Sequence, residues 1–267
     1  WIWQCHIDIT HPYDPIWRFL RAYVLLYDLM VVSDEKYLKK DLPVEQRIIT
    51  PAIDPLTVKN RDIPESTIQK YLERAGIPTD KPILTQISRF DKWKDPEGVL
   101  EVFKKVKSEV DCRLVLCGCM AADDPEGIEI YERVAEKARD MAREGDIIFL
   151  TCENSMLVNV LQRASDVLIQ KSLREGFGLT VTEALWKGRP VVASNVGGIP
   201  LQITDGETGF LVDPHDTQGF ADRIITLMQD PRLASEMGKK AKESVREKFL
   251  ITRMLSDYLE VLSYILY

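Results

Sequence analysis

The chain has 267 residues, 45% of them hydrophobic and 29% charged, with a formal net charge of −7. That length exceeds one small core and suits one large or two modest domains. The acidic balance excludes a general nucleic-acid binder, which needs a basic excess to neutralise phosphates. No apolar run approaches the ~20 residues of a membrane span.

Trp1–Asp8 predicts a strand, Pro15–Leu29 a helix and Met30–Ser33 a second short strand. These pieces are too few to close a domain, and the chain opens Trp1-Ile-Trp-Gln without a methionine. Residues 1–50 therefore read as the tail of an N-terminal domain, interior to a longer protein. Pro51-Ala-Ile-Asp-Pro55 reads as an irregular crossover, and 51–78 as linker. Beyond it, apolar runs at Pro82–Ser88, Arg113–Gly118, Asp146–Leu150, Asp166–Gln170, Pro190–Ser194 and Gly209–Val212 predict strands. Between them Pro96–Val110, Gly127–Arg143, Met156–Ala164 and Leu179–Lys187 carry helical periodicity. Near-continuous apolar strands alternating with helices define an α/β, doubly wound parallel sheet, Rossmann-like, over 79–248. Thr217–Gln229 and Arg232–Lys248 predict amphipathic helices, and 249–267 a returning C-terminal helix.

The chemistry concentrates in Glu175-Gly-Phe-Gly-Leu-Thr-Val-Thr-Glu183, a polar loop running into a helix after the strand Asp166–Gln170. Carboxylates accept hydrogen bonds from hydroxyls, glycines admit close backbone approach, and a helix start attracts anions. A sugar joined to a diphosphate needs all three. Ser88-Arg89-Phe90-Asp91-Lys92-Trp93-Lys94-Asp95 also follows a strand and precedes a helix. There Arg89 can fork onto phosphate oxygens and Lys94 adds a point charge. In such sheets ligands bind beyond the carboxyl ends of the strands. Other features have plainer readings. Cys117-x-Cys119 has no histidine near it, and the five cysteines read as reduced thiols of a cytoplasmic protein. Asp123-Asp124 reads as a solvated helix entry before Pro125, so no metal is expected. Gly206 and Gly209 read as turn glycines, and Trp93 as either a stacking residue or a cover for the core.

Taken in order, Ser88-Arg89…Lys94, Glu175-Gly-Phe-Gly-Leu-x-x-x-Glu183-Ala, Gly188-x-Pro190-Val-Val-Ala193, Gly197-Gly-Ile-Pro200 and Asp205-Gly-x-x-Gly209-Phe-Leu-Val resemble the donor-binding domain of retaining glycosyltransferases with two Rossmann domains (GT-B). Cys5-His6-Ile-Asp8 and Pro51-Ala-Ile-Asp54-Pro55-Leu-x-x-Lys59-Asn60 are similar to the trehalose synthase and trehalose phosphorylase branch. The resemblance implies a nucleoside diphosphoglucose donor (UDP-, ADP- or GDP-glucose), a monosaccharide acceptor, and no required cofactor. It also implies roles. Arg89 and Lys94 would hold the diphosphate, and Glu175 would lie beside the donor sugar. Backbone N–H groups of Gly176, Phe177 and Gly178 would meet sugar hydroxyls, and those near Leu179 and Thr180 the distal phosphate. Glu183 would accept the ribose hydroxyls, the base would rest on Thr151–Asn154, and His6 would face the reaction across the cleft. One departure stands out: the family places a glutamate after Gly-Gly-Ile-Pro, where this chain has Leu201 and Gln202.

Three other readings compete with this one. A glycoside hydrolase needs its carboxyls about 5–9.5 Å apart, whereas eight helical residues already advance ~12 Å. A trehalose phosphorylase would place phosphate where the diphosphate sits. A nucleotide-binding module without turnover describes this chain if the missing domain is not supplied. A homodimer is among the assemblies the sequence allows.

Overall fold

A computed structural model describes residues 1–118, 125–151 and 153–266. Cys119 and Asp123-Asp124, named above, and Cys152, within the loop Thr151–Asn154, lie outside the described residues. A three-stranded parallel sheet is built from β1 (Ile2–Gln4), β2 (Leu29–Val32) and β3 (Glu45–Ile48), in that order. Helix α1 (Asp14–Val24) joins β1 to β2 and stops short of its expected end, because Asp28 already donates to the Trp1 carbonyl at the sheet edge. The charged edge strand β3 leaves no periodic signature in the sequence, since Glu-Gln-Arg-Ile has no apolar alternation.

The large sheet contains β4 (Ile83–Ile87), β5 (Arg113–Gly118), β6 (Ile147–Thr151), β7 (Val167–Gln170), β8 (Val191–Ser194) and β9 (Phe210–Val212). Its order is β6-β5-β4-β7-β8-β9, all parallel. Counted within this sheet that is 3-2-1-4-5-6, the doubly wound Rossmann order. The chain reverses direction of travel between β4 and β7, so the loops after those two strands border the switch crevice.

Helices cover both faces. One core packs α3 (Pro96–Lys107), α4 (Pro125–Lys137) and α8 (Thr217–Gln229) on the sheet through Phe103, Val134 and Phe220. The opposite face buries Val181 and Leu185 of α7 (Leu179–Trp186) against Val245 of α9 (Pro231–Lys248). Burying each such side chain contributes about 1.5–3 kcal/mol. The helix expected over 127–143 divides at Ala138 into α4 and α5 (Arg139–Arg143). The division sacrifices no local bond: Ala138 donates to Val134, and its own carbonyl accepts from Ala142.

Within 51–78 lies α2 (Glu65–Arg74), not anticipated because it buries only Ile68 and Leu72. Those two pack with Leu161 of α6 (Ser155–Ala164) in the core of the large sheet. The last helix, α10 (Ile251–Leu266), returns to the small sheet, where Val261 joins Leu29, Val31 and Ile49. Arg253 of α10 donates to the Thr50 carbonyl at 2.7 Å, and Ile53 bridges Leu250, so both crossings between the sheets are tied together. Among the described residues no helix is long and apolar enough to cross a membrane.

Candidate functional site

The loops following β4 and β7 face each other across the switch crevice. In the first, Asp91 accepts from the backbone N–H groups of Trp93 and Lys94 at 2.9 and 3.1 Å. Asp95 then caps α3 by accepting from Gly98 at 3.0 Å, from a left-handed backbone (φ 43°). That conformation is uncommon for a residue with a Cβ. It is held by the pairing of Asp95 with the buried Lys171. The turn aims Lys94 at the second loop, where its Nζ lies 2.5 Å from Glu175 Oε2. Ser172 Oγ (3.2 Å) and Gln170 Nε2 (3.4 Å) complete the surroundings of that oxygen.

The glutamate loop is gripped from both sides. Tyr37, fully buried under the small sheet, donates its hydroxyl to the Gly176 carbonyl at 2.7 Å. Burial pushes that hydroxyl's pKa well above its ordinary value, so it stays a donor. Gly198 donates to the same carbonyl at 2.9 Å, and Gln202 Nε2 to the Phe177 carbonyl at 2.5 Å. A carboxylate at position 202 could only accept and would oppose that carbonyl. Gln202, the second residue after the Gly-Gly-Ile-Pro run, is thus a donor that the loop uses. Gly197 (φ 54°) presses against the loop, since a Cβ there would fall 1.7 Å from the Glu175 carbonyl oxygen. Gly176 is equally constrained on its other side, where a Cβ would meet the His6 carbonyl at 2.8 Å.

Together these loops wall a cavity of about 1000 Å³. His6, Arg89, Lys94 and the run Glu175, Gly176, Phe177, Gly178, Leu179 and Thr180 all line it. Arg89 is exposed and rests on Asp91 at 3.2 Å. No side chain caps the start of α7 beside Gly178, leaving its first N–H groups to the cavity. Trp93 also lines the wall, with the Arg174 guanidinium 5.2 Å from its ring centroid. Asp8, from the Cys5-His6-Ile-Asp8 motif, and Arg174, which motif reasoning passed over, lie 3.5 Å apart on the cavity wall. Burial works against the Asp8 carboxylate, but Thr10 and Arg174 outweigh it and hold its pKa below the usual range.

Glu183 does not line this cavity. It is buried on α7, 3.4 Å from Lys59 Nζ and 3.2 Å from Gln162 Nε2. Of the loop Thr151–Asn154, the described residues Thr151, Glu153 and Asn154 likewise do not line the wall, and Asn154 is engaged in capping α6 through Leu157. The sugar-facing and phosphate-facing candidates are therefore brought together, while those assigned to ribose and base stand apart.

The doubly wound sheet, the switch-point cavity and the second parallel sheet define the class: a GT-B architecture. The Anabaena protein HepE, solved with UDP-glucose, superposes with a TM-score of 0.83 over 98% of this chain and 72% of its own, at 19% identity. Residues 67–244 match the family model for glycosyl transferases group 1, and the chain belongs to that family. Residues 1–39 match a second model, that of the trehalose synthase N-terminal domain. The trehalose synthase of Thermococcus litoralis is 46% identical over 98% of this chain and 64% of its own length. The trehalose phosphorylase of Grifola frondosa is 30% identical over 92% of this chain and 38% of its own. The chain thus spans about 64% of the length of the trehalose synthase it matches.

Proposed function

We propose that this chain carries the donor-binding half of a retaining glucosyltransferase that moves glucose from a nucleoside diphosphoglucose to glucose, forming trehalose. The supporting observation is the convergence of Arg89, Lys94 and the uncapped start of α7 on the surroundings of Glu175. Two cations and a helix start suit a diphosphate, and a carboxylate beside them suits sugar hydroxyls. As the bond between the anomeric carbon and the phosphate oxygen breaks, charge develops on the leaving diphosphate, where Arg89, Lys94 and the helix N–H groups stabilise it. The acceptor hydroxyl attacks from the same face and gives its proton to the departing phosphate. The products are trehalose with both anomeric centres α, and the nucleoside diphosphate. His6 faces the sugar from the small sheet. The acceptor half of the cleft comes from outside these 267 residues, so the chain alone binds nucleotide and turns over little.

The test is an activity screen of the polypeptide containing both halves of the cleft, with UDP-, ADP- and GDP-glucose and glucose. The expected product is α,α-linked disaccharide from at least one donor. Glucose 1-phosphate formed from trehalose and phosphate, with no transfer from any nucleotide sugar, would establish the phosphorylase reading instead.

A further inference from the structure

Behind Glu183 lies a polar cluster to which the catalytic reading gives no task. Lys187, which ends α7, is buried. Its Nζ donates to Gln162 Oε1 at 2.7 Å, Asn60 Oδ1 at 3.1 Å and the Glu183 carbonyl at 3.3 Å. Gln162, also buried, turns its Nε2 to the Glu183 carboxylate at 3.2 Å. Asn60 is fixed in turn by donating to the Asp54 carbonyl at 3.0 Å. The segment Asp54-Pro-Leu-x-x-Lys59-Asn60 therefore closes over this cluster.

An ammonium has only donors, so it obliges Gln162 to present its oxygen to Lys187 and its NH₂ to Glu183. A neutral amine has only two N–H groups for the three oxygens around it, so its hold on the Gln162 oxygen loosens, and with it the orientation of the amide towards Glu183. We propose that Lys187 is a positioning residue for Glu183: acting through Gln162, it holds the carboxylate ready for the two ribose hydroxyls, and only while it carries its proton. This inference rests on the reading that Glu183 accepts those hydroxyls.

Burial lowers the Lys187 pKa to about 7, against the opposing pull of Glu183. The other charged groups facing it are Arg163 on α6 and Lys59 and Asp62 in the segment before α2. On α9, Lys242 covers the neighbouring Trp186 ring. The sign follows: Lys187 is charged below neutrality and loses its proton as the pH rises through about 7, so ribose recognition weakens upward.

Calorimetry of this chain with UDP, ADP and GDP, each beside its 2′,3′-dideoxy counterpart, reads ribose recognition as an affinity ratio in which phosphate ionisation cancels. In the wild type the dideoxy penalty is expected to be about ten-fold at ~pH 6 and below about three-fold at ~pH 8.5. Lys187→Met is expected to show a small penalty at both. The wild-type profile needs no variant to fold. A wild-type penalty that is equal at both pH values and abolished by Glu183→Gln would overturn the role of Lys187 while leaving the ribose reading intact. A penalty unchanged in Glu183→Gln would overturn the ribose reading and the inference with it.

Discussion

Glu175→Gln is expected to lower glucosyl transfer by ~10²–10³-fold in the polypeptide holding both halves of the cleft. The same substitution is expected to tighten binding of the nucleoside diphosphate product to this chain by about three- to ten-fold. The two effects have opposite signs because Glu175 has two roles. Towards the sugar it is the carboxylate beside the reacting centre. It is also the partner, at 2.5 Å, of Lys94, the cation assigned to the diphosphate. Binding a diphosphate must draw Lys94 away from that partner, and the neutral amide removes the competition. Transfer assays at saturating donor and calorimetry with the product check both halves. Loss of binding and transfer together would mean that Glu175 supports the loop rather than the reaction.

The second expectation concerns the same pair as a structural element. Its side chains are largely buried, 17% exposed for Lys94 and 10% for Glu175. Removing one partner of such a pair leaves an uncompensated charge and costs about 3–5 kcal/mol. Lys94→Ala should therefore destabilise the chain by about 3 kcal/mol, because it leaves the largely buried Glu175 carboxylate without its cation. Glu175→Gln should cost only about 1 kcal/mol, since the long lysine can turn outward. The double variant should be more stable than Lys94→Ala alone, which urea denaturation of all four proteins would show as a coupling energy. Additive losses would mean that the pair contributes nothing to the fold.

Most of the large sheet was legible because its strands are short, apolar and bounded by turn residues, and because parallel order follows from strand–helix alternation. Once β4 and β7 are neighbours, the meeting of Lys94 with Glu175 follows from their places just after those strands. What holds the site was not legible. Tyr37 touches Gly176 across 139 positions of sequence, and nothing local to either residue announces it. Helix α2 has only two buried positions, too weak a stripe to stand out from a linker. Gln202 registered as a departure from a pattern, and its role as donor to Phe177 appears only when the two loops stand side by side. Lys187 lies one helical turn beyond Glu183 and would pass for an ordinary surface lysine, yet the fold buries it. Local periodicity reports which face of an element is apolar; it carries no record of which polar group another element will bring to it.

Glu175 and Glu183 remain two stations along one proposed ligand, the first in the cavity with Lys94 and Arg89, the second set back on α7 with Gln162 and Lys59. The most direct measurement is a calorimetric titration of this chain with UDP, ADP, GDP and inorganic phosphate. The account predicts one-to-one binding of at least one nucleoside diphosphate, weakened by about ten-fold or more in Arg89→Ala, with phosphate alone no substitute. Binding of phosphate in preference to every nucleotide, or no binding at all, would contradict it.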